Sequence, residues 1–398
     1  MRTRDVSAPG ANGTDDPART LGSDACGPGR FRSDVSGDPG SAVRPGVARV
    51  ARFIRAAGVS DPSPGAVSRG GQRAPGPGRA DGGAVGTFGG GSHRGGPDFA
   101  IPVRPGGYAW WYVDALSDDG QFGLSVIAFV GSVFSPYYAW SGRGDPMNHC
   151  AVNVALYGPR GARWAMTERG RAKVTRARDM LSIGPSALFW DADGLTIRVD
   201  ERGAPLPKRV RGTIRLNRAT VNTRTFTLED QGGHRWRPIV PSARVEVDLD
   251  APDLRWRGHG YFDMNIGDEP LERGFSRWTW SRAATPNGAT ILYDAERRRS
   301  GPLSLGLLFD GSGGCDSFAP PLKTVLPSTR WRVARETRSD DGAASVTREF
   351  EDTPFYSRSL LNTKLHGQEV ACIHESLSLD RFDHPLVKLM LPFRMPRW

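Results

Sequence analysis

Apolar and polar residues alternate in short segments from about residue 106 to the end of the chain. A period of two places successive side chains on opposite faces of a strand, and turn signals recur about every 8–12 residues, as in antiparallel sandwiches and barrels. The DADG turn at 191–194 is a strong hairpin signal, and helical periodicity is weak. The sequence therefore predicts an all-β fold. Its strand-like segments are 106–134, 151–158, 188–201, 209–217, 221–230, 243–250, 275–282, 288–298, 303–310, 328–337 and 368–382.

The length of this strand-rich region indicates more than one domain. It spans roughly 300 residues, which is too many for one small barrel. We predict two antiparallel β-barrel or β-sandwich domains, an N-terminal one over 98–230 and a C-terminal one over 231–398. The boundary falls after the segment TFTLED.

The first 97 residues have a different composition from the rest of the chain. They contain no Trp, Tyr, Lys or Glu, and all 11 Trp and 8 Tyr lie further along. Without these large side chains, a segment buries too little apolar surface to offset its ordering entropy. We predict that 1–97 is a disordered tail rich in Gly, Pro and Arg.

The charge distribution argues against a nucleic-acid partner. The net charge is +10, and the 13 Arg and 8 Asp of the tail account for half of it (13 − 8 = +5). The remaining residues show no concentrated basic stripe of the kind that binds nucleic acid. Attraction to an anionic membrane surface stays open. We find neither a secretory signal nor a run of about 18 apolar residues, so we predict a soluble or peripheral protein.

Several common catalytic motifs are absent. The four cysteines are far apart and lack zinc-site spacing, as expected of inert thiols in a reducing compartment. There is no GxSxG, HExxH or GxxxxGK[ST] motif, which argues against a serine hydrolase, a zincin and a P-loop NTPase. His374 and Glu375 begin as HE, but SLSL follows.

Two short segments carry the most informative polar side chains. If each is a strand, HRWRP (234–238) places His234 and Trp236 on one face, and HGYFDMN (259–265) places Tyr261 and Asp263 on one face. All four would then converge on one barrel lumen. Aromatic and His side chains on such faces are commonly part of a core, whereas a buried carboxylate needs a partner. From the pattern alone, both a core and a catalytic interpretation stay open.

Longer motifs around these residues resemble a known family. GGYAWWYVDALSDDGQFGLSVIAFVGSVFSPYYAW (106–140), GHRWRP (233–238) and GYFDMNIGDEPL (260–271) closely resemble the carotenoid 1,2-hydratases, or hydroxyneurosporene synthases, of phototrophic purple bacteria. The resemblance covers roughly 101–398, and we recognise no counterpart of the tail. It implies two lipocalin-like β domains that add water across the terminal 1,2 double bond of an acyclic carotenoid such as neurosporene or lycopene. It implies no organic cofactor and no metal.

The resemblance also implies a catalytic set of His234, Trp236, Tyr261 and Asp263. Hydration of a trisubstituted alkene needs an acid, a stabilised tertiary carbocation and one water molecule. A desolvated Asp263 would stay protonated and supply the acid. Trp236 and Tyr261 would stabilise the cation through their aromatic faces. His234 would either orient Asp263 or accept a proton from the attacking water.

Seven further aromatic residues are candidates for substrate binding, although many of them would suit an ordinary core equally well. These residues are Trp110, Trp111, Tyr112, Phe134, Tyr137, Tyr138 and Trp140. The final segment, 382–398, has the composition of an interfacial anchor and equally that of a packed C-terminal segment. We expect a cytoplasmic enzyme bound peripherally to the inner or photosynthetic membrane. The alternative is a non-catalytic, lipocalin-like carrier of apolar ligands.

Overall fold

The computed structural model describes residues 95–159, 161–218, 220–286 and 288–398. The predicted tail therefore lies, except for its last three residues, outside the described part of the chain. The described part is dominated by antiparallel strands, which confirms the predicted all-β fold. None of its helices has the length and apolar character needed to cross a bilayer.

The first sheet contains the strands up to residue 267. In spatial order they run β4-β3-β2-β1-β12-β11-β9-β8-β7-β6-β5, and β10 pairs with β11. The sheet curls until β4 approaches β8 and β9. The bounds are β1 Tyr108–Ser117, β2 Gly123–Val130, β3 Cys150–Tyr157, β4 Arg163–Arg169, β5 Val174–Arg176, β6 Met180–Ile183, β7 Ser186–Trp190, β8 Gly194–Arg202, β9 Arg209–Asn217, β10 Phe226–Thr227, β11 His234–Ala251 and β12 Asp253–Gly267.

The second sheet follows in the order β16-β15-β14-β13-β21-β20-β19, and β17 and β18 form a separate two-stranded ribbon. Their bounds are β13 Phe275–Thr285, β14 Gly288–Arg297, β15 Leu303–Asp310, β16 Cys315–Phe318, β17 Leu322–Leu326, β18 Arg335–Ser339, β19 Ala344–Asp352, β20 Tyr356–Leu365 and β21 Gln368–Ser378. The short helices are α1 Pro136–Trp140, α2 Leu271–Gly274, α3 Leu379–Asp383 and α4 Pro385–Met390, with 3₁₀ turns at Pro146–Asn148, Arg171–Lys173 and Leu391–Phe393.

The chain changes from one sheet to the other between Gly267 and Phe275. Strands β11 and β12 lie beyond residue 230, yet they pair with β9 and β1 and so belong to the first sheet. The change of sheet therefore comes later than the predicted domain boundary, which stays a prediction about domains.

Strand β1 separates two hydrophobic cores because its alternate side chains point to opposite faces. Trp111 and Val113 join a core that consists of first-sheet residues and a few residues of its adjoining loops. Trp110 and Tyr112 point the other way and join a core shared with the second sheet, including Trp280. The first core fills the inside of the curled sheet, and the second core contains the candidate site.

Candidate active site

A cavity of about 570 Å³ lies between the two sheets. Its wall is largely aromatic, and four carboxyl side chains interrupt it. The aromatic lining residues are Trp110, Tyr112, Phe129, Phe134, Trp164, Trp236, Trp278, Trp280, Tyr293, Trp331, Phe355, Tyr356 and Phe393, and the acidic ones are Asp263, Glu351, Asp352 and Glu375. The cavity thus lies outside the curled first sheet, so the expected position inside a barrel lumen is wrong.

Asp263 is the most deeply buried acid of this wall, with 4% of its surface exposed. The indole Nε1 of Trp236 donates a hydrogen bond to its Oδ2 over 2.8 Å. The hydroxyl of Tyr261 donates to the same oxygen over 2.7 Å. Strands β11 and β12 bring these groups together, since Trp236 is paired with Asn265 and Pro238 with Asp263.

Burial raises the pKa of Asp263 to about 8. The hydrogen bonds from Trp236 and Tyr261 favour the carboxylate and lower the pKa, but the loss of hydration outweighs them. The negative charges of Glu375 and Asp114 add to the increase. Asp263 is therefore a neutral carboxylic acid at pH 7.

The hydrogen bonds also indicate which oxygen carries the proton. Oδ2 already accepts two hydrogen bonds, from Trp236 and Tyr261. Oδ1 has one longer contact, 3.3 Å from Nδ2 of Asn265, which also lines the cavity. The proton of Asp263 therefore lies on Oδ1.

Tyr261 connects Asp263 to a second buried group. Its ring centroid lies 5.1 Å from Trp280 and 6.1 Å from Tyr112. The guanidinium of Arg282 lies over the same ring, 5.8 Å from its centroid, and forms a 2.6 Å buried ion pair with Asp114. Burial, and then the proximity of Asp263, raises the pKa of the Tyr261 phenol, so it acts as a neutral donor.

His234 is buried, but its hydrogen bonds do not involve Asp263. Its Nδ1 lies 2.9 Å from the hydroxyl of Tyr108, and its Nε2 lies 3.3 Å from Oε1 of Glu269. Because a carboxylate only accepts, Nε2 donates to Glu269 and Tyr108 donates to Nδ1. Burial lowers the pKa of His234, so the ring is neutral. The ring of Tyr108 stacks on that of the cavity residue Trp110, with 4.8 Å between the ring centroids. His234 is therefore connected to the cavity wall through Tyr108.

Three of the seven aromatic residues predicted to bind substrate line the cavity, namely Trp110, Tyr112 and Phe134. Trp111 points into the first core because strand alternation turns it away from its neighbours. Tyr137, Tyr138 and Trp140 belong to α1 and do not line the cavity: Tyr138 donates to the carbonyl of Gly107, and Trp140 is exposed.

Sequence reasoning missed several cavity residues of the second sheet. Trp278 and Trp280 share one face of β13, and their alternation in FSRWTWSR carried the signal. Tyr293 follows on β14, with its ring 5.2 Å from Trp236. Burial raises the pKa of Glu351, on β19, to about 7. No sequence motif indicated this last residue.

The C-terminal segment forms part of the cavity rim. Val387, Met390, Leu391, Phe393, Arg394 and Met395 line the cavity. Next to them, Leu389 is 62% exposed and Phe393 is 73% exposed. Lys388 lies among these apolar residues and pairs with Asp383. The last part of the chain thus combines an exposed apolar surface with basic side chains.

The described residues contain no group of three or more His, Cys, Asp or Glu side chains arranged to hold a metal ion. Cys150, Cys315 and Cys372 are free thiols, and the fourth cysteine, Cys26, lies outside the described part of the chain.

Several solved structures with a similar fold have TM-scores below 0.5. They include a putative AttH from Nitrosomonas europaea, with a TM-score of 0.46, 15% identity and coverage of 68% of this chain and 92% of that chain. Kievitone hydratase from Nectria haematococca has a TM-score of 0.43 and 13% identity over 73% of this chain and 97% of its own.

Sequence relatives are much closer. An acyclic carotenoid 1,2-hydratase from Thiocapsa roseopersicina is 52% identical over 100% of this chain and 99% of its own length. One from Rubrivivax gelatinosus is 49% identical over 96% of this chain and 95% of its own. The full coverage of the first alignment gives residues 1–97 a counterpart, contrary to our sequence analysis. The family model for carotenoid hydratase CrtC matches residues 126–398. The chain therefore belongs to the carotenoid hydratase CrtC family.

Proposed function

We propose that the protein is an acyclic carotenoid 1,2-hydratase in which Asp263 is the acid. It adds water across the terminal 1,2 double bond of a substrate such as neurosporene or lycopene and yields a 1-hydroxy carotenoid. The observation that carries this proposal is a buried, protonated carboxyl group in the wall of an aromatic cavity. Alkene hydration needs such a group, and a passive carrier does not.

The reaction begins with transfer of a proton from Oδ1 of Asp263 to C2 of the alkene. The π electrons form the new C–H bond, and C1 becomes a tertiary carbocation. The oxygen of a water molecule then forms a bond to C1, and loss of one proton from that water completes the alcohol. The proton gained by C2 and the proton lost by water balance, so the enzyme returns to its starting state.

The aromatic wall stabilises the positive charge without trapping it. The indoles of Trp236 and Trp280 and the phenol of Tyr293 line the cavity beside Asp263. An aromatic face attracts a cation by about 0.5–2 kcal/mol, depending on desolvation. Burial keeps the Tyr293 phenol protonated by raising its pKa, so it is not an anionic nucleophile.

The cavity takes one end of the substrate. Its volume of about 570 Å³ lies within the range of roughly 300–1,000 Å³ that suits drug-sized ligands. A long rigid polyene is longer than this cavity, so the part that does not fit extends out through the cavity mouth. The rest of the chain then remains in the apolar phase where carotenoids are stored.

This geometry favours peripheral binding to a membrane through the C-terminal segment. The exposed large apolar side chains of this segment are Leu386, Leu389, Met390, Phe393 and Trp398, of which Met390 and Phe393 line the cavity. Lys388, Arg394 and Arg397 lie between them in the sequence. Apolar residues flanked by basic ones are typical of segments that lie in the interface of an anionic bilayer. The enzyme would thus work on the cytoplasmic side of the inner or photosynthetic membrane.

The proposal is tested with purified protein, lycopene in lipid vesicles and water labelled with oxygen-18. We expect a 1-hydroxy product that carries the label, detected by mass spectrometry. Pigment that is bound but chemically unchanged would favour the carrier and contradict the hydratase.

A further inference from the structure

A second carboxylate faces the same cavity from the opposite sheet. Glu375 lies on β21, paired with Trp280 on one side and with Arg358 on the other. Its Oε1 accepts a 2.8 Å hydrogen bond from the hydroxyl of Tyr112. The backbone of Tyr112 is in turn paired with that of Asp263. Tyr112 therefore joins the acid side of the cavity to Glu375.

Glu375 is held through one of its two carboxyl oxygens, which leaves the other oxygen available. Arg358 is fully buried, forms an ion pair with Oε1 of Glu375 and does not line the cavity. The other oxygen, Oε2, accepts no hydrogen bond from any described residue. Glu375 itself lines the cavity. Its available oxygen is thus the atom through which Glu375 can accept a hydrogen bond from a water molecule inside the cavity.

We propose that Glu375 is a second catalytic residue, which binds the attacking water and takes its proton. This inference rests on the proposed hydration reaction. Asp263 first protonates C2 and becomes a carboxylate. The water oxygen forms its bond to C1, one O–H bond of the water breaks, and that proton passes to Oε2 of Glu375. Glu375 then returns the proton to Asp263 through water in the cavity. Arg358 and Tyr112 are positioning residues, since both hold Oε1.

The alternative reaction of the carbocation provides the readout. If water does not capture it, the cation becomes an alkene again by losing a proton from C2, or from a methyl group on C1, to the Asp263 carboxylate. In D₂O, Asp263 delivers a deuteron to C2, so the recovered alkene carries deuterium without being hydrated whenever the hydrogen lost is not that deuteron. The ratio of hydrated product to deuterated substrate therefore reports water capture separately from protonation.

We expect Glu375→Gln to hydrate at least about 100-fold more slowly, since general base catalysis contributes roughly 10²–10⁴-fold. Deuterium should still enter the recovered substrate at a rate within about tenfold of the wild type, so the ratio falls at least about tenfold. A folded variant with the wild-type ratio would overturn the inference. Equal loss of both processes would also overturn it, because Glu375 would then act in protonation.

Two further variants make the test decisive. If Arg358, left unpaired, prevents folding, the double variant Arg358→Gln, Glu375→Gln removes both buried charges and should show the same low ratio. Glu349→Gln is the matched control: Glu349 lies on β19 of the same sheet as Glu375 and pairs with the buried Arg335 of β18 at 2.9 Å, but it does not line the cavity. It should keep the wild-type ratio. A wild-type protein that neither hydrates nor deuterates lycopene would instead refute the proposed function, and this inference with it.

Discussion

Tyr261 and Asp263 lie two residues apart on one face of β12, and the Tyr261 hydroxyl donates to Oδ2 of Asp263 over 2.7 Å. A strand places residues i and i+2 on the same face, so one strand supplies both the acid and one of its hydrogen-bond donors. Trp236 supplies the second donor from the neighbouring strand β11. Both donors lie on Oδ2, which leaves the proton on Oδ1. This geometry determines what substitutions at the site should do.

Replacement of the acid is the most direct test. Asp263→Asn preserves the shape of the side chain but removes the transferable proton. We expect turnover to fall at least about 1,000-fold, toward the upper range of general acid catalysis. Lycopene binding, followed by the shift of the pigment spectrum, should persist because the aromatic wall is unchanged. Near wild-type turnover would remove Asp263 from the mechanism.

The raised pKa of Asp263 predicts the direction of the pH dependence. The reaction needs the protonated form, so the rate should be full well below pH 8 and fall as the pH rises through about 8. Tyr261→Phe removes a donor that lowers this pKa. The falling limb should therefore move to higher pH, by about one unit for one hydrogen bond. A profile of turnover against pH measures this, and a shift to lower pH would contradict the assignment.

The same group links stability to pH. The pKa of Asp263 is raised from 3.8 in the unfolded chain to about 8 in the folded protein, so the folded state binds the extra proton between these values. Its contribution to the free energy of unfolding is complete below pH 3.8 and is lost as the pH rises through about 8. The slope is at most about 1.4 kcal/mol per pH unit. Urea denaturation should show a weaker decline with pH in Asp263→Asn than in the wild type. Parallel curves would mean that Asp263 is already ionised in the folded protein.

His234 should behave differently from Asp263. Its partners are Tyr108 and Glu269, so His234→Gln should lower the free energy of unfolding by about 1–3 kcal/mol. Because the ring does not contact Asp263, the falling limb of the pH profile should stay near pH 8. Urea denaturation and the pH profile of the variant measure the two effects. Movement of that limb would instead support the predicted role of His234 in orienting the acid.

Local patterns in the sequence predicted the fold and part of the site. Alternation placed Tyr261 and Asp263 on one face and indicated most strands, because the face on which a side chain lies follows from its spacing from nearby residues in the sequence. The same rule could have separated Trp110 from Trp111, which point into different cores. The segment 221–230 also alternates, but only Phe226–Thr227 is a strand. Alternation alone therefore does not define strand length.

Contacts between distant parts of the chain were not predictable from local patterns. Tyr112 and Glu375 are 263 residues apart and meet only because the second sheet packs on the outer face of the first. For the same reason, the cavity lies between the sheets instead of inside a barrel. The partners of His234 were also hidden, since Tyr108 and Glu269 lie outside the two short segments 234–238 and 259–265, and local alternation does not show which strands become neighbours. Such relationships require the register and packing of whole sheets.

The exposed apolar side chains of the C-terminal segment should bind the membrane surface. Leu386 and Leu389 are 65% and 62% exposed and do not line the cavity, so their replacement by Asp removes apolar surface without disturbing a core or the substrate site. We expect Leu386→Asp, Leu389→Asp to weaken binding to anionic vesicles at least about tenfold in a sedimentation assay, since each side chain would contribute about 1.5 kcal/mol or more in a bilayer. Turnover of lycopene supplied in vesicles should fall with it, while turnover of a short detergent-solubilised alkene substrate should change little. The control is Leu322→Asp, which changes a comparably exposed leucine (73%) far from the C-terminal segment in the sequence that does not line the cavity either. The control should bind vesicles like the wild type. If the double variant did so too, the C-terminal segment would not be the membrane contact, and the substrate would have to enter by another route.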